Sequence, residues 1–142
     1  MSEHGLTTIP SAYSVRETID RLVRIVTARG LGVFARIDHA AGAAQVGMAL
    51  RPTELLIFGN ATGGTPLMQD KQTAGLDLPL KVLAWEDAEG AVWLTYNDLA
   101  WLARRHGLGA ESGASVAALS AAMASLTASV ARAEMHDQAA TG

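Results

Sequence analysis

The chain has 142 residues, a net charge of −3, 49% apolar residues and 18% charged residues. This length and composition fit one globular domain with its own core and exclude a disordered chain. Because the net charge is negative, we expect neither nucleic acid nor a membrane surface as a partner. The chain has no cysteine, so it has neither a disulfide framework nor a thiol nucleophile.

The first residues, MSEHGLTTIPS, lack the basic and apolar segments of a secretory signal. The uncharged apolar runs are expected to be too short to span a bilayer. These observations predict a soluble, cytoplasmic protein.

The chain begins with a predicted edge strand and a predicted amphipathic helix. Leu6 to Tyr13 has strand character, but Pro10 cannot donate a ladder hydrogen bond, which favours an edge position. Ser14 to Glu17 has the pattern of a capping box, and apolar residues follow at helical spacing until Gly30. We therefore predict a helix from Val15 to Arg29.

A second strand and a weak helix follow. Leu31 to Ile37 has the apolar pattern of a strand, and Asp38 can cap a short helix that continues to about Gly47. Gly42 costs that helix roughly 1 kcal/mol relative to alanine. Packing against other parts of the protein must therefore hold the helix in place.

The central stretch, Thr53 to Met68, predicts a strand, a glycine-rich turn and a helix start. The unbroken apolar run Leu55 to Phe58 is typical of a strand buried on both faces. Thr65 and Pro66 predict an N-cap residue and the first helical residue, with the helix continuing to about Thr73. The turn contains glycines that permit positive φ, namely Gly59, Gly63 and Gly64.

A hairpin and a further helix come next. Leu78 to Trp85 and Ala91 to Tyr96 are β-rich runs joined by an acidic turn that ends in glycine, which predicts a β-hairpin. Asn97 or Asp98 then caps a helix that ends at Gly107.

The last predicted helix, Ala114 to Met135, is rich in alanine and serine. Its larger apolar residues alternate at spacings of three and four, as in the seam of a short coiled coil. This pattern leaves two alternatives: the helix packs on its own domain, which we favour, or it packs against a second copy in a homodimer. The seam residues are Val116, Leu119, Met123, Leu126, Val130 and Ala133.

Several blocks of the sequence resemble the uncharacterised bacterial and archaeal DUF302 family. The resemblance covers most of the chain from Ser14 to Gly107. It implies a small α+β domain of the TT1751-like kind, with no established activity, cofactor or catalytic residue to transfer. The blocks are VFARIDHAAGA at Val33–Ala43, GN at Gly59–Asn60, GTPLMQ at Gly64–Gln69, TAGLDLPLKVLAWED at Thr73–Asp87 and VWLTYND at Val92–Asp98.

We therefore predict a single α+β domain with a mixed or mostly antiparallel sheet, covered on one main face by helices. Residues 1–13 form an N-terminal segment with the edge strand. Residues 14–110 form the DUF302-like domain, and residues 111–142 form the C-terminal helix and tail.

The glycine-rich turn is a candidate ligand site. Free backbone amides at a helix start, together with threonine hydroxyls, can bind a phosphate or a carboxylate. The stretch lacks the lysine and spacing of a phosphate-binding P-loop, and the alternative is that its glycines only serve a tight turn. The predicted ligand-binding residues are Asn60, Thr62, Gly63, Gly64 and Thr65.

Asp38 and His39 are candidate catalytic residues because they directly follow a strand. The alternative is that Asp38 is a helix cap and that His39 is an isolated histidine. A zinc site requires three or four clustered ligands. The sequence shows no such spacing, so we predict no metal.

The leading hypothesis is a non-enzymatic binding module for a small polar or anionic ligand at Asn60–Thr65, with Asp38 and His39 nearby. An enzyme would use the same pocket, with His39 as general base and the turn amides stabilising negative charge. A third alternative is a structural homodimer or a protein that binds other proteins. The sequence identifies neither the ligand nor a cofactor.

Overall fold

The computed structural model describes residues 4–132, and its strands and helices follow the predicted order. Two short 3-10 helices, Gln72–Leu76 and Ala110–Ser112, were not predicted. The strands are β1 Leu6–Ser11, β2 Gly32–Asp38, β3 Thr53–Gly59, β4 Leu80–Glu86 and β5 Val92–Asn97. The α-helices are α1 Val15–Ala28, α2 His39–Gln45, α3 Ala61–Asp70, α4 Leu99–His106 and α5 Gly113–Ala131.

The strands form one antiparallel sheet in the order β1-β5-β4-β3-β2. Strand β1 lies at one edge and β2 at the other, so the predicted edge position of the first strand is confirmed. The predicted hairpin is confirmed by the pairing of β4 with β5. A single α+β domain with helices against the sheet is therefore the observed architecture.

Helices α1 and α5 cover one face of the sheet and form the core with it. In β3, residues alternate between buried and half-buried, with Leu56 and Phe58 fully buried and Leu55 and Ile57 only half-buried. The prediction that this strand is buried on both faces is wrong. Parallel sheets carry helices on both faces, whereas an antiparallel sheet can leave one face open.

Three helix ends have the local geometry that the sequence predicts. The Ser14 hydroxyl accepts a hydrogen bond of 3.1 Å from the Glu17 amide at the start of α1. Asp98 caps α4 by accepting from the Ala100 amide at 2.9 Å, and Gly107 ends that helix with φ of 66°. Only glycine adopts such a left-handed conformation without strain.

Helix α3 begins at Ala61 rather than at Pro66. Asn60 is its N-cap and accepts a hydrogen bond of 2.8 Å from the Gly63 amide. Gly63 and Gly64 are therefore helical residues, and of the three glycines predicted to have positive φ, Gly59 has it, at 147°. Asparagine is among the strongest N-cap residues, and here it starts the helix before the proline is reached.

Helix α5 packs on its own domain. Met123, Leu126 and Val130 are buried in the core, and Val116 and Leu119 pack against it while remaining half-buried. Internal docking, the favoured alternative, therefore accounts for these seam residues. The predicted seam residue Ala133 and helix end Met135 lie outside the described residues.

The segment Ala110–Ala131 is long and apolar enough to cross a membrane, judged by length and composition alone. The expectation that every uncharged run is too short to span a bilayer is therefore wrong. The core helix of a globular protein meets the same criterion, and this helix contributes several fully buried side chains to its own core.

Candidate functional site

A cavity of about 260 Å³ lies between the end of the sheet at Gly59, helix α3 and helix α5. Four separate regions of the sequence meet at its walls. Leu31 and Phe34 come from β2 and the residue before it. The turn and α3 contribute Gly59, Asn60, Ala61, Gly63, Gly64, Thr65 and Met68. The start of β4 and the two residues before it contribute Leu78, Pro79 and Leu80, and α5 contributes Leu119, Ala122 and Leu126.

The two helical glycines allow α3 to lie close to its neighbours. A Cβ atom at Gly63 would lie 3.3 Å from the Leu119 side chain and 3.2 Å from the Asn60 Oδ1 atom. A Cβ atom at Gly64 would lie 3.5 Å from the Leu78 side chain and 3.8 Å from that of Met68, both of which line the cavity. Gly63 thus permits contact between α3 and α5, and Gly64 leaves space in the cavity.

The chemistry of the cavity is mainly apolar. None of the described residues that line it carries a charge. The polar side chains are those of Asn60 and Thr65, and the Asn60 Oδ1 atom already accepts from the Gly63 amide. The Gly64 amide donates to the Asn60 carbonyl at 3.3 Å, so two amides of the predicted anion site have internal acceptors.

Four of the five predicted ligand-binding residues line this cavity, namely Asn60, Gly63, Gly64 and Thr65. Thr62 is exposed and is not one of the lining residues. Contact between these residues and a ligand stays a prediction.

Asp38 and His39 do not lie beside this cavity. In the antiparallel pairing of β2 with β3, Asp38 pairs with Glu54 and Gly32 pairs with Gly59. Five residues of strand at ~3.4 Å each separate Asp38 from the cavity end of the sheet by roughly 17 Å. The prediction of one site that combines His39 with the Asn60–Thr65 turn is therefore wrong.

Asp38 caps helix α2. Its Oδ1 atom accepts a hydrogen bond of 2.8 Å from the Ala41 amide. His39 is the first residue of that helix and is exposed. Within residues 4–132, no group of three or more His, Asp or Glu side chains is arranged to hold a metal ion.

The wall contributed by α5 was missed by sequence reasoning. Leu119 and Leu126 belong to the predicted seam, which indicated that they face a packing partner. The pattern could not indicate that they also border an open space beside α3, because Leu119 follows Gly64 by more than fifty residues. Phe34, on the edge strand, was also missed as a cavity residue.

Asp70 anchors the end of α3 to the segment that leads into α5. One of its oxygens accepts from the Ser112 hydroxyl at 2.7 Å and from the Gly109 amide at 2.8 Å. These two hydrogen bonds, with the nearby Lys71 ammonium, lower the pKa of Asp70 to about 2. The anchor fixes the spacing between two helices that form the cavity walls.

Asp77 joins the 3-10 helix Gln72–Leu76 to the end of α4. Its carboxylate binds Arg105 at 3.1 Å and the His106 Nε2 atom at 2.5 Å, while His106 Nδ1 lies 3.1 Å from the Thr73 hydroxyl. The His106 side chain is only 7% exposed, so it is held inside this cluster rather than solvated. Since Asp77 also binds Arg105, we interpret this cluster as a structural clamp.

Comparison with solved structures shows the same fold in a protein of unknown role. The crystal structure of an uncharacterized conserved DUF302 protein from Bacillus stearothermophilus matches with a TM-score of 0.79. The match covers 90% of this chain and 98% of that chain, at 18% identity. At that identity the likeness concerns the fold alone.

Two curated relatives carry the name "Fluoride-specific ion channel FluC 1". They come from Brucella suis biovar 1 (strain 1330) and Brucella abortus biovar 1 (strain 9-941), and each is 55% identical to this chain over 117 residues. The match covers 82% of this chain but only 46% and 43% of the relatives. The chain thus spans less than half the length of the curated relatives that it matches.

The profile of the family described as "Domain of unknown function DUF302" matches residues 7–126. This range includes most of β1 and most of α5, beyond both ends of the range in which the sequence motifs were recognised. The resemblance noted from those motifs is confirmed. The chain belongs to the DUF302 family.

Proposed function

We propose that this protein is a non-enzymatic binding module for a small amphipathic molecule, whose apolar part occupies the cavity between α3, α5 and the sheet. The observation that carries this proposal is the cavity itself, with its uncharged and mainly apolar walls. Ligand sites typically combine such walls with a few polar groups that orient the ligand.

The volume sets the size of the ligand. A cavity of about 260 Å³ has room for roughly nine water-sized groups, at ~30 Å³ each. A molecule with on the order of ten non-hydrogen atoms therefore fits, for example a medium-chain carboxylic acid or alcohol.

The start of α3 determines where the polar end of the ligand lies. Asn60 and Thr65 are exposed residues at the cavity. The Gly63 and Gly64 amides have internal acceptors, so the helix dipole and the Asn60 and Thr65 side chains are what favour a polar or negative group at this end of α3. In this proposal, the polar or anionic group that the sequence predicts forms one end of a largely apolar ligand.

The test compares octanoate with 1-octanol as probes, using isothermal titration calorimetry on the full chain. We expect wild type to bind both probes and to bind octanoate more tightly, because α3 favours a negative head. In Gly64→Val, the added side chain should fill space beside Leu78 and Met68. We expect it to raise the dissociation constants of both probes at least about tenfold. Native mass spectrometry of freshly purified protein would show any molecule already bound.

The matched control is Gly42→Val, which places the same change in helix α2, where a Cβ atom meets nothing within 4 Å. This variant should bind the probes as wild type does. Circular dichroism and thermal melting check that both variants fold. Equal binding by Gly64→Val and wild type, or no binding of either probe to wild type, would contradict the proposal.

A second candidate function rests on the relatives from Brucella. Their shared domain occurs in chains that are more than twice the length of the match and are named as fluoride-specific ion channels. Domains joined in one chain in some species can act as separate partners in others, so this chain would associate with a channel of that class. Co-purification of the tagged chain with a co-expressed fluoride channel in mild detergent tests this, and absence of the channel from the eluate would contradict it.

A further inference from the structure

The segment from residue 32 to residue 52 contributes no buried residue to the core. Eighteen of these 21 residues are exposed, and the other three are half-buried. We name this segment, which comprises β2, α2 and the loop before β3, the β2–α2 surface. Its large exposed apolar side chains, with their exposed fractions, are Val33 42%, Phe34 61%, Ile37 39%, Val46 71%, Met48 67% and Leu50 49%.

Helix α2 receives little support from its own chain. It has seven residues, includes Gly42 and contains no buried residue. Isolated helices shorter than ~12–15 residues are marginal in water even when rich in alanine. A helix of this sequence needs packing against other residues to be stable. The described part of the chain provides little of that packing.

The charged groups of the β2–α2 surface are engaged within their own chain. Arg36 binds Glu54 at 2.8 Å and Asp20 at 2.7 Å. Asp38 caps α2, and the Arg51 Nε atom donates to the Glu86 carbonyl at 3.1 Å. Covering this surface would therefore leave none of these groups without a partner, and depletion of free charge is typical of interface cores.

The geometry of the surface suits a two-fold contact with an identical surface. Strand β2 is an edge strand, so one side of its backbone is open to pairing, and antiparallel pairing of a strand with its own copy is compatible with two-fold symmetry. An apolar groove lined by Ala40, Ala44, Met48, Ala49, Leu50 and Arg51 lies beside it. The exposed Val46 side chain of a second copy is apolar and would pack into this groove.

The size of the β2–α2 surface also agrees with that of a dimer interface. Stable interfaces of standard size use roughly 20–30 residues from each partner, and the β2–α2 surface provides 21 residues. We infer that the occupant of this surface is a second copy of this chain, in a homodimer with α2 at its interface. This is a different surface from the seam of α5, on which the sequence hypothesis of a homodimer was based.

The inference does not depend on the proposed ligand, although one residue belongs to both features. Phe34 lies on the β2–α2 surface and also lines the cavity. Val46 and Met48 do not line the cavity, so substitutions there test the dimer alone.

The experiment is sedimentation velocity on the full chain over a concentration series from about 1 to 200 μM, a range that covers typical weak and moderate dimers. We expect wild type to show a reversible monomer–dimer equilibrium. The double variant Val46→Asp/Met48→Asp should raise the dimer dissociation constant at least about tenfold, because two charges would be buried without partners.

The matched control is Leu76→Asp, since Leu76 is 72% exposed and lies in the 3-10 helix outside this surface. It should dimerise as wild type does. A wild type that remains monomeric at the highest concentration would overturn the inference, even if the surface bound some other protein. A dimer that withstands the double variant, with circular dichroism showing that it is folded, would overturn it as well.

Discussion

Two phenylalanines on neighbouring strands show how differently the two regions of this protein are stabilised. Phe58 on β3 is 0% exposed beneath the helices, whereas Phe34 on β2 is 61% exposed. The first belongs to a core that the chain completes by itself. The second belongs to a surface of 21 residues in which none is buried.

This contrast separates the residues that stabilise the monomer from those that contribute little to its stability. Apolar burial is the main favourable contribution to folding, so residues under α1 and α5 should dominate the free energy of unfolding. The apolar residues of the β2–α2 surface contribute little to it. In the homodimer proposed above, a second copy would cover them.

The strongest test compares the loss in the free energy of unfolding when each of the two phenylalanines is replaced by alanine. Phe58→Ala should lower the free energy of unfolding by about 3–5 kcal/mol, because it removes a fully buried ring and leaves a cavity. Phe34→Ala should change it by less than about 1 kcal/mol. Urea denaturation at low protein concentration, where dimers contribute least, measures both values. Similar losses for the two variants would mean that the two regions do not differ in this way.

The next effect concerns the ion pair between Arg36 on the exposed strand β2 and Glu54 on the neighbouring strand β3. Arg36→Met leaves the Glu54 carboxylate, whose side chain is 10% exposed, without its partner at 2.8 Å. We expect a loss of about 2 kcal/mol in the free energy of unfolding, since a nearly buried charge loses its hydrogen bond.

The control for this variant is Arg24→Met, which breaks the exposed pair between Arg24 and Glu17. Exposed pairs contribute roughly 0–1 kcal/mol, so this change should be hardly measurable. A double variant with Glu54→Gln would show whether the loss in Arg36→Met comes from the uncompensated carboxylate. If both arginine variants lost the same free energy, the special role of Arg36 would be refuted.

The smallest expected effect depends on pH and concerns the anchor between two cavity walls. Because the pKa of Asp70 is lowered to about 2 in the folded state, its charge stabilises the fold above the ordinary aspartate pKa of about 4. This contribution is lost as the pH falls from about 4 to about 2.

The variant Asp70→Asn should therefore melt below wild type at pH 7 and together with it near pH 2. Thermal melting followed by circular dichroism at pH 7, 4 and 2 measures the difference. A gap between the two proteins that is unchanged at pH 2 would show that the carboxylate charge is not its cause.

Elements whose signals lie within a few residues of each other could be predicted from the sequence. The capping box at Ser14, the cap at Asp98, the stop at Gly107 and the acidic hairpin turn all depend on contacts between near neighbours in the chain. The family and the α+β class followed from these elements and from the motif blocks. The start of α3 was misplaced because two adjacent signals competed, and the Asn60 cap prevailed over Thr65 and Pro66.

Which segments lie next to each other could not be predicted, because it depends on the packing of the whole fold. Antiparallel pairing placed Asp38 at the opposite end of β3 from the glycine turn, which separated two features that the sequence hypothesis had combined. Packing of α5 brought Leu119 and Leu126 to the cavity beside α3. Local patterns specify the helices, strands and turns, but distances between remote residues depend on strand order and helix docking, which no short-range pattern encodes.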